Sequence, residues 1–306
     1  MKKFNFNIKN KFINSFLFLN KSFIIFFSII LFLFTFPTLL LTLITHISYS
    51  KFPYIAPTTT TVGNTSDTPF SVYDVLNYIT YSTPSIILFI IANMVVINKN
   101  IIKDINEGYI SFWLTIKSTR KDLFLSKIIS IYLYNLFIFM PSFLILLLFS
   151  AISADAKNYF ASFLYQSLQF MILIFLISSI MLVTSIYVTD KVFLYNIIFG
   201  IVSIYIVSVW VLYIIDIFMD HQIKVLNYAK YFLPQYFIFY ILEFDIYQDK
   251  LFSDSIINNE RVVVKQSSNY NTHWWNSIIF PTILLIIGVI TNILSIRKFN
   301  SKNIYI

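Results

Sequence analysis

Cysteine is absent from this 306-residue chain, and glycine occurs only four times. Without cysteine the chain can form neither a disulfide nor a thiolate site for a metal or for redox chemistry. A phosphate-binding P-loop needs two glycines five positions apart, followed by Lys and then Ser or Thr. The four glycines lack that spacing, so the chain has no P-loop of its own for ATP hydrolysis. They are Gly63, Gly108, Gly200 and Gly288.

Charged residues are scarce as well. They make up 12% of the chain, against 58% hydrophobic residues, and the mean hydropathy is +0.76. Such a composition cannot cover a soluble surface with charge, and it is typical of an integral membrane protein. The net charge of +8 is interpreted as a determinant of membrane topology, because the sequence offers no soluble basic face for a nucleic acid. We therefore expect no nucleic-acid partner.

Long apolar runs are the dominant feature that is present. A membrane-spanning helix needs roughly 20 mainly apolar residues, and six windows meet that requirement. We predict an all-α integral membrane fold, with residues 1–306 forming a single transmembrane domain of six spanning helices. The windows lie at about 22–46, 79–97, 128–150, 161–188, 193–216 and 277–296.

The residues before the first window predict a further helix. Apolar side chains recur there at helical spacing, while Lys and Asn occupy much of the remaining surface. This pattern is typical of an amphipathic helix that lies in the membrane interface, which we assign to residues 1–21. The first span is too long for a secretory signal, so we expect it to be retained. The apolar positions are Phe4, Ile8, Phe12, Phe16 and Leu19.

Positive charge sets the orientation of the spans, because Lys and Arg are retained on the cytoplasmic side during insertion. With both termini in the cytoplasm, 15 of the 22 Lys and Arg fall inside. That arrangement leaves residues 98–127 in the cytoplasm and residues 51–75 and 217–276 outside. We therefore predict a multi-pass protein of the cell membrane with both termini cytoplasmic.

The last outer loop, 217–276, contains an apolar stretch at 228–244 that Pro234 and Gln235 interrupt. We expect a re-entrant or interfacial segment at this position. A seventh span is the alternative. It would carry the C-terminal basic residues outside, against the charge bias.

Ionisable side chains are missing from the apolar centres of the six windows. Transport driven by protons or ions generally uses such groups inside the membrane, so we do not expect it here. The three histidines show no His-x-x-x-His pairing, and we expect no metal site. Amide side chains do occur in the spans, where they either join helices by hydrogen bonds or line a substrate path. They are Asn93, Asn135, Gln166, Gln169, Asn196 and Asn292.

Residues 98–127 stand out because they hold six of the 22 basic residues. Six apolar side chains in this segment recur near one helical face, which predicts a short amphipathic helix. Thr119 and Asp122 then form a Thr-x-x-Asp pattern, which predicts a capped helix start running through Lys127 into the third span. A helix, a break and a second helix suit a docking role. A basic loop resting on anionic lipid is the alternative. The apolar positions are Ile101, Ile105, Tyr109, Phe112, Trp113 and Ile116.

At these residues the sequence resembles the permeases of type-2 ATP-binding-cassette exporters. After the second span, that family has an acidic approach to Gly, an apolar run ending in Ser or Thr, and a Ser-Arg pair. A Lys follows seven residues later and opens the third span. Lys117 stands where the family usually has Pro, and Ser126 where it has Gly. The matching residues are Gly108, Thr115, Thr119, Arg120 and Lys127.

The resemblance implies a permease subunit that forms the substrate path with a second permease chain, identical or different. ATP hydrolysis is then expected on a separate ATPase subunit, so this chain is not expected to be an enzyme or to hold a cofactor. The implied ATPase contact lies in the 98–127 segment, with two aromatic anchors and basic residues that orient it. The residues implied are Glu107, Gly108, Phe112, Trp113, Lys117, Thr119, Arg120, Lys121 and Lys127.

A membrane scaffold or immunity-type protein, which binds partners and transports nothing, is the alternative function. An ATPase that copurifies with the chain and changes its turnover in response would distinguish the two. The residues leave the substrate open, because lipid, peptide, drug and glycan all fit. Membrane lipid is an expected partner in either case.

Overall fold

The computed structural model describes residues 6–48, 72–108, 119–154, 156–189, 191–219, 225–234, 255–257, 260–262 and 274–301. Within these residues, six helices are long and apolar enough to cross a membrane. The prediction of a helical fold with six candidate spans is therefore confirmed. The helices are α1 (Phe6–Leu19), α2 (Lys21–Ser48), α3 (Val72–Val75), α4 (Thr83–Ile97), α5 (Lys103–Asn106), α6 (Arg120–Ile152), α7 (Ala156–Tyr187), α8 (Val192–Phe218) and α9 (Trp274–Ser301).

The second spanning helix is longer than its apolar window. A π-helical turn, Asn98–Ile102, joins α4 to α5, so helical backbone continues from Thr83 to Asn106. The next helix, α6, starts at Arg120, ahead of the window predicted from 128. The stretch between the two helices is thus 107–119, which is shorter than the predicted loop of 98–127.

A single residue, Asn20, separates the N-terminal helix α1 from α2, and α1 packs on α6. Phe16 is buried against the bundle, and Phe12 is half-buried beside it. Leu19, predicted on the same apolar face, is 59% exposed. The next residue, Asn20, is buried, and its side-chain amide is satisfied by donating to the Phe16 carbonyl at 2.8 Å. Whether α1 lies in the membrane interface stays a prediction.

The bundle is organised around α7, which contacts α4, α6 and α9. The contact with α9 is the most extensive between any two described elements. It is close at Gly288, where an added Cβ would overlap the Phe175 ring. The glycine therefore lets α9 approach α7 at this crossing.

The chain turns back after α8. A 3₁₀ helix, Leu226–Phe232, follows, and Ala229 and Leu233 pack against Val209 in the C-terminal half of α8. This return includes the start of the predicted re-entrant segment, whose later residues lie outside the described ones. Two short strands follow, β1 (Ser255–Ile257) and β2 (Glu260–Val262), paired antiparallel. No strand was predicted in the 217–276 loop.

Candidate functional site

The helix that carries α5 ends at Asn106, and Glu107 and Gly108 form the turn that follows it. The Glu107 amide donates to the Lys103 carbonyl at 2.9 Å, and the Gly108 amide donates to the Ile105 carbonyl at 3.4 Å. Gly108 has φ +74°, in the left-handed region that favours glycine and commonly ends helices. The positive φ of Gly108 breaks the helical path within the predicted short amphipathic helix, and the apolar positions from Tyr109 to Ile116 lie outside the described residues.

The start of α6 has the cap that the sequence predicted. The backbone amide of Asp122 donates to Thr119 Oγ1 at 3.1 Å, and Thr119 Oγ1 donates to a carboxylate oxygen of Asp122 at 2.6 Å. The Asp122 charge also lies in the first turn, where the helix dipole favours a negative group. Arg120 and Lys121 are in the same turn. Arg120 is half-buried and Lys121 is exposed.

An ion pair between Asp104 and Lys127 joins α5 to α6. Lys127 Nζ donates to the Asp104 carboxylate and to the backbone carbonyl of Asn100. The side chain of Lys127 is 11% exposed and that of Asp104 is 21% exposed. Charged groups this poorly solvated are normally paired. The two helices that flank the 107–119 stretch are thus tied together beside it.

Sequence reasoning missed Asp104. Lys127 was singled out, but no counter-ion was named for it. The sequence did contain a signal for this ion pair. A lysine expected at the end of a spanning helix needs an acidic partner if it is buried, and Asp104, Glu107 and Asp122 were the acidic residues in its segment.

A second set of contacts joins the π turn and α5 to the helices on either side of them. The Asn100 side-chain amide donates to Asn20 Oδ1 at 3.2 Å, between α1 and α2. Lys99 Nζ donates to the Leu19 carbonyl at 3.2 Å. The Asn106 side chain donates to the carbonyl of Thr189, between α7 and α8, at 2.8 Å. The helix through α4 and α5 is therefore anchored on both sides.

A small cavity of about 100 Å³ lies between α1, the π turn and α6. Phe12 and Phe16 of α1 cover it, and the Asp104–Lys127 pair lines it. The ion pair is therefore shielded by α1 from one side. This placement is consistent with the low exposure of both side chains.

Six of the nine predicted coupling residues lie within the described residues, and three lie outside them. Glu107 makes an exposed pair with Lys103 at 3.6 Å, and Gly108, Thr119 and Lys127 have the roles at the helix ends described above. Lys121 is exposed beside Arg120. Outside the described residues lie Phe112, Trp113 and Lys117.

Amide and hydroxyl side chains join the helices inside the bundle. Asn93 of α4 and Asn135 of α6 exchange hydrogen bonds at 3.2 and 3.1 Å, and Asn135 also donates to Ser178 of α7 at 2.8 Å. The prediction of helix-to-helix hydrogen bonds is confirmed for these two asparagines. It is also confirmed for Asn196, which accepts from Asn98 at 2.5 Å.

A second network lies one residue further along α7. Tyr132 of α6 donates to Asn292 Oδ1 of α9 at 2.8 Å and is bonded to Ser179 Oγ at 2.8 Å. The Asn292 amide also donates to Ser179 at 2.9 Å. The adjacent residues Ser178 and Ser179 therefore link α7 to α4, α6 and α9 through the two networks.

Comparisons with protein-family models, with curated proteins and with solved structures find no match to this chain.

Proposed function

We propose that this chain is the permease subunit of an ATP-binding-cassette exporter, which forms the substrate path and couples to a separate ATPase. Six helices long enough to span a membrane support this proposal. The residue pattern from Gly108 to Lys127 supports it through its resemblance to that family. Since the sequence lacks a P-loop, the energy would come from the partner.

The observation that carries the proposal is the tie between Asp104 and Lys127. A partner that pushes on the 107–119 stretch can move the bundle only if the stretch is held firmly to the helices behind it. Here one end stops at Gly108, the other starts at a capped Thr119, and the ion pair joins the two helices. A force on this stretch is therefore applied to both helices together.

The hydrogen-bonded networks extend this connection into the bundle. Asn93, Asn135 and Ser178 join α4 to α6 and α7, and Tyr132, Ser179 and Asn292 join α6 to α7 and α9. Four of the six candidate spans would then move as one body. ATP-driven switching between inward-facing and outward-facing states needs such a body, because a partner shifts an equilibrium only through differential contacts with the two states.

In this proposal Phe112 and Trp113 are the anchors of the ATPase contact, and Lys117, Arg120 and Lys121 orient it toward an acidic face. A second permease chain completes the path. The chain would be a multi-pass protein of the cell membrane with both termini in the cytoplasm, as the charge bias predicts.

The experiment is copurification followed by an activity assay. The tagged chain is purified from membranes of its own cells, and bound proteins are identified by mass spectrometry. We expect an ATP-binding-cassette ATPase, whose turnover changes at least severalfold when it is coexpressed with this chain and reconstituted in vesicles. Binding with unchanged ATP turnover would favour the non-transporting scaffold. Recovery of the intact chain with no such ATPase would refute the proposed function.

A further inference from the structure

An open groove of about 390 Å³ lies between the α4–α5 helix and the start of α8. It shares no lining residue with the cavity under α1. Polar and charged side chains border it, together with two valines. Its lining residues are Val95, Asn98, Lys99, Lys103, Asn106 and Glu107, with Val192 at the α8 edge.

The groove carries a net positive charge. Lys99 and Lys103 border it, against the single carboxylate of Glu107, which pairs loosely with Lys103 at 3.6 Å. The Lys103 side chain is 59% exposed, so its ammonium remains available to a further anion. A ligand with one negative charge therefore complements the groove.

The groove lies level with the first residues of two candidate spans, which is where a lipid headgroup is expected. Lys99 Nζ donates to the Leu19 carbonyl and lies 5.2 Å from the centroid of the Phe23 ring, in the first turn of α2. The candidate spans of α2 and α8 begin at Lys21 and Val192, on either side of the groove. Lysine at the end of a spanning helix typically extends its ammonium to this level.

An apolar strip of α4 continues from the groove toward the middle of the bundle. Val95 is half-buried in the lining, and Ile91, one turn further along, is 45% exposed. An acyl chain that follows this strip would keep its apolar surface against the protein. A free phosphate would gain nothing from it, so the observations favour a lipid.

We propose that this groove binds the headgroup of an anionic glycerophospholipid, such as phosphatidylglycerol. Lys99 and Lys103 contact the phosphate, and an acyl chain lies along α4. This site does not depend on the proposed transport function.

The test is native mass spectrometry of the full chain in detergent, mixed with equal amounts of dioleoyl phosphatidylglycerol and dioleoyl phosphatidylcholine. We expect the wild-type chain to retain phosphatidylglycerol preferentially. Lys99→Gln with Lys103→Gln should lower that preference about tenfold, because each basic residue near a lipid phosphate contributes a severalfold increase in affinity. Lys99→Arg with Lys103→Arg should keep it.

The matched control is Lys21→Gln with Lys121→Gln, which makes the same change in net charge at exposed lysines that do not line the groove. It should leave the preference for phosphatidylglycerol unchanged. Equal losses in the two glutamine variants would mean that net charge alone attracts the lipid, and would overturn the proposal. So would a wild-type chain without preference, or displacement of the lipid by millimolar inorganic phosphate.

Discussion

Asp104→Asn tests the tie between α5 and α6, and the exposure of the ion pair sets the expected effect. Lys127 and Asp104 are 11% and 21% exposed, so neither charge is well solvated. Removing one partner of a buried pair typically costs about 3–5 kcal/mol, because the other charge stays uncompensated. Lys127 would keep the Asn100 carbonyl, so we expect a loss of about 2–3 kcal/mol in the free energy of unfolding.

A double-mutant cycle isolates the pair itself. Lys127→Met removes the ammonium and keeps an unbranched stem, while the combination with Asp104→Asn removes both charges. Replacing a buried pair by uncharged groups is often nearly neutral, so the double variant should be more stable than either single variant. The free energy of unfolding, measured by SDS titration of the chain in detergent micelles, gives the coupling energy.

The control for this cycle is Glu107→Gln, which removes an ion pair of the same type in the same segment. Lys103 and Glu107 are 59% and 42% exposed, and pairs this exposed contribute at most about 1 kcal/mol. If Asp104→Asn costs no more than Glu107→Gln, or if the two single losses simply add in the double variant, the tie does not hold the helices as we infer.

The remaining predictions concern packing, topology and the energy source. Gly288→Ala should lower the free energy of unfolding by about 1–3 kcal/mol, because the new Cβ overlaps the Phe175 ring. The control Gly200→Ala has open space around it and should cost nothing. Equal effects of the two variants would contradict the close crossing of α9 and α7. With Val62→Cys and Ser118→Cys made singly, an impermeant thiol reagent should label only position 62 in intact cells, and the reverse result would invert the topology. The chain purified alone should neither hydrolyse ATP nor transport in response to a pH gradient, and pH-driven flux in proteoliposomes would revive a secondary transporter.

The spanning helices could be predicted because their signal is local in the sequence. About 20 apolar residues in a row are enough to indicate a span, whatever the helix packs against. The cap at Thr119 was equally accessible, since its donor and acceptor lie three residues apart. Both features depend on residues that are neighbours along the chain.

Features that depend on packing were missed. The pairing of Asp104 with Lys127 spans 23 residues and follows from the way α5 lies against α6. The break at Gly108 was hidden by an apolar periodicity that continues across it, although a glycine can end a helix at little cost. The binding groove combines Lys99 and Lys103 with Val192, which is distant in sequence and comes close only when α8 packs on α4.

The coupling role itself is tested most directly by recovery of the ATPase with a chain carrying Trp113→Ala and Arg120→Glu. Loss of an aromatic anchor at an interface typically costs about 2 kcal/mol or more, which corresponds to roughly a thirtyfold loss of affinity. Glu at the first position of α6 is favourable to the helix dipole, so abundance should be normal. Lys157→Glu, an exposed charge reversal in the first turn of α7, is the control.

We expect pull-down of the ATPase and ATP-driven transport to fall together in the double variant and to stay at the wild-type level with Lys157→Glu. Undiminished pull-down together with undiminished transport, at normal expression of the double variant, would contradict the coupling role of the 107–119 stretch.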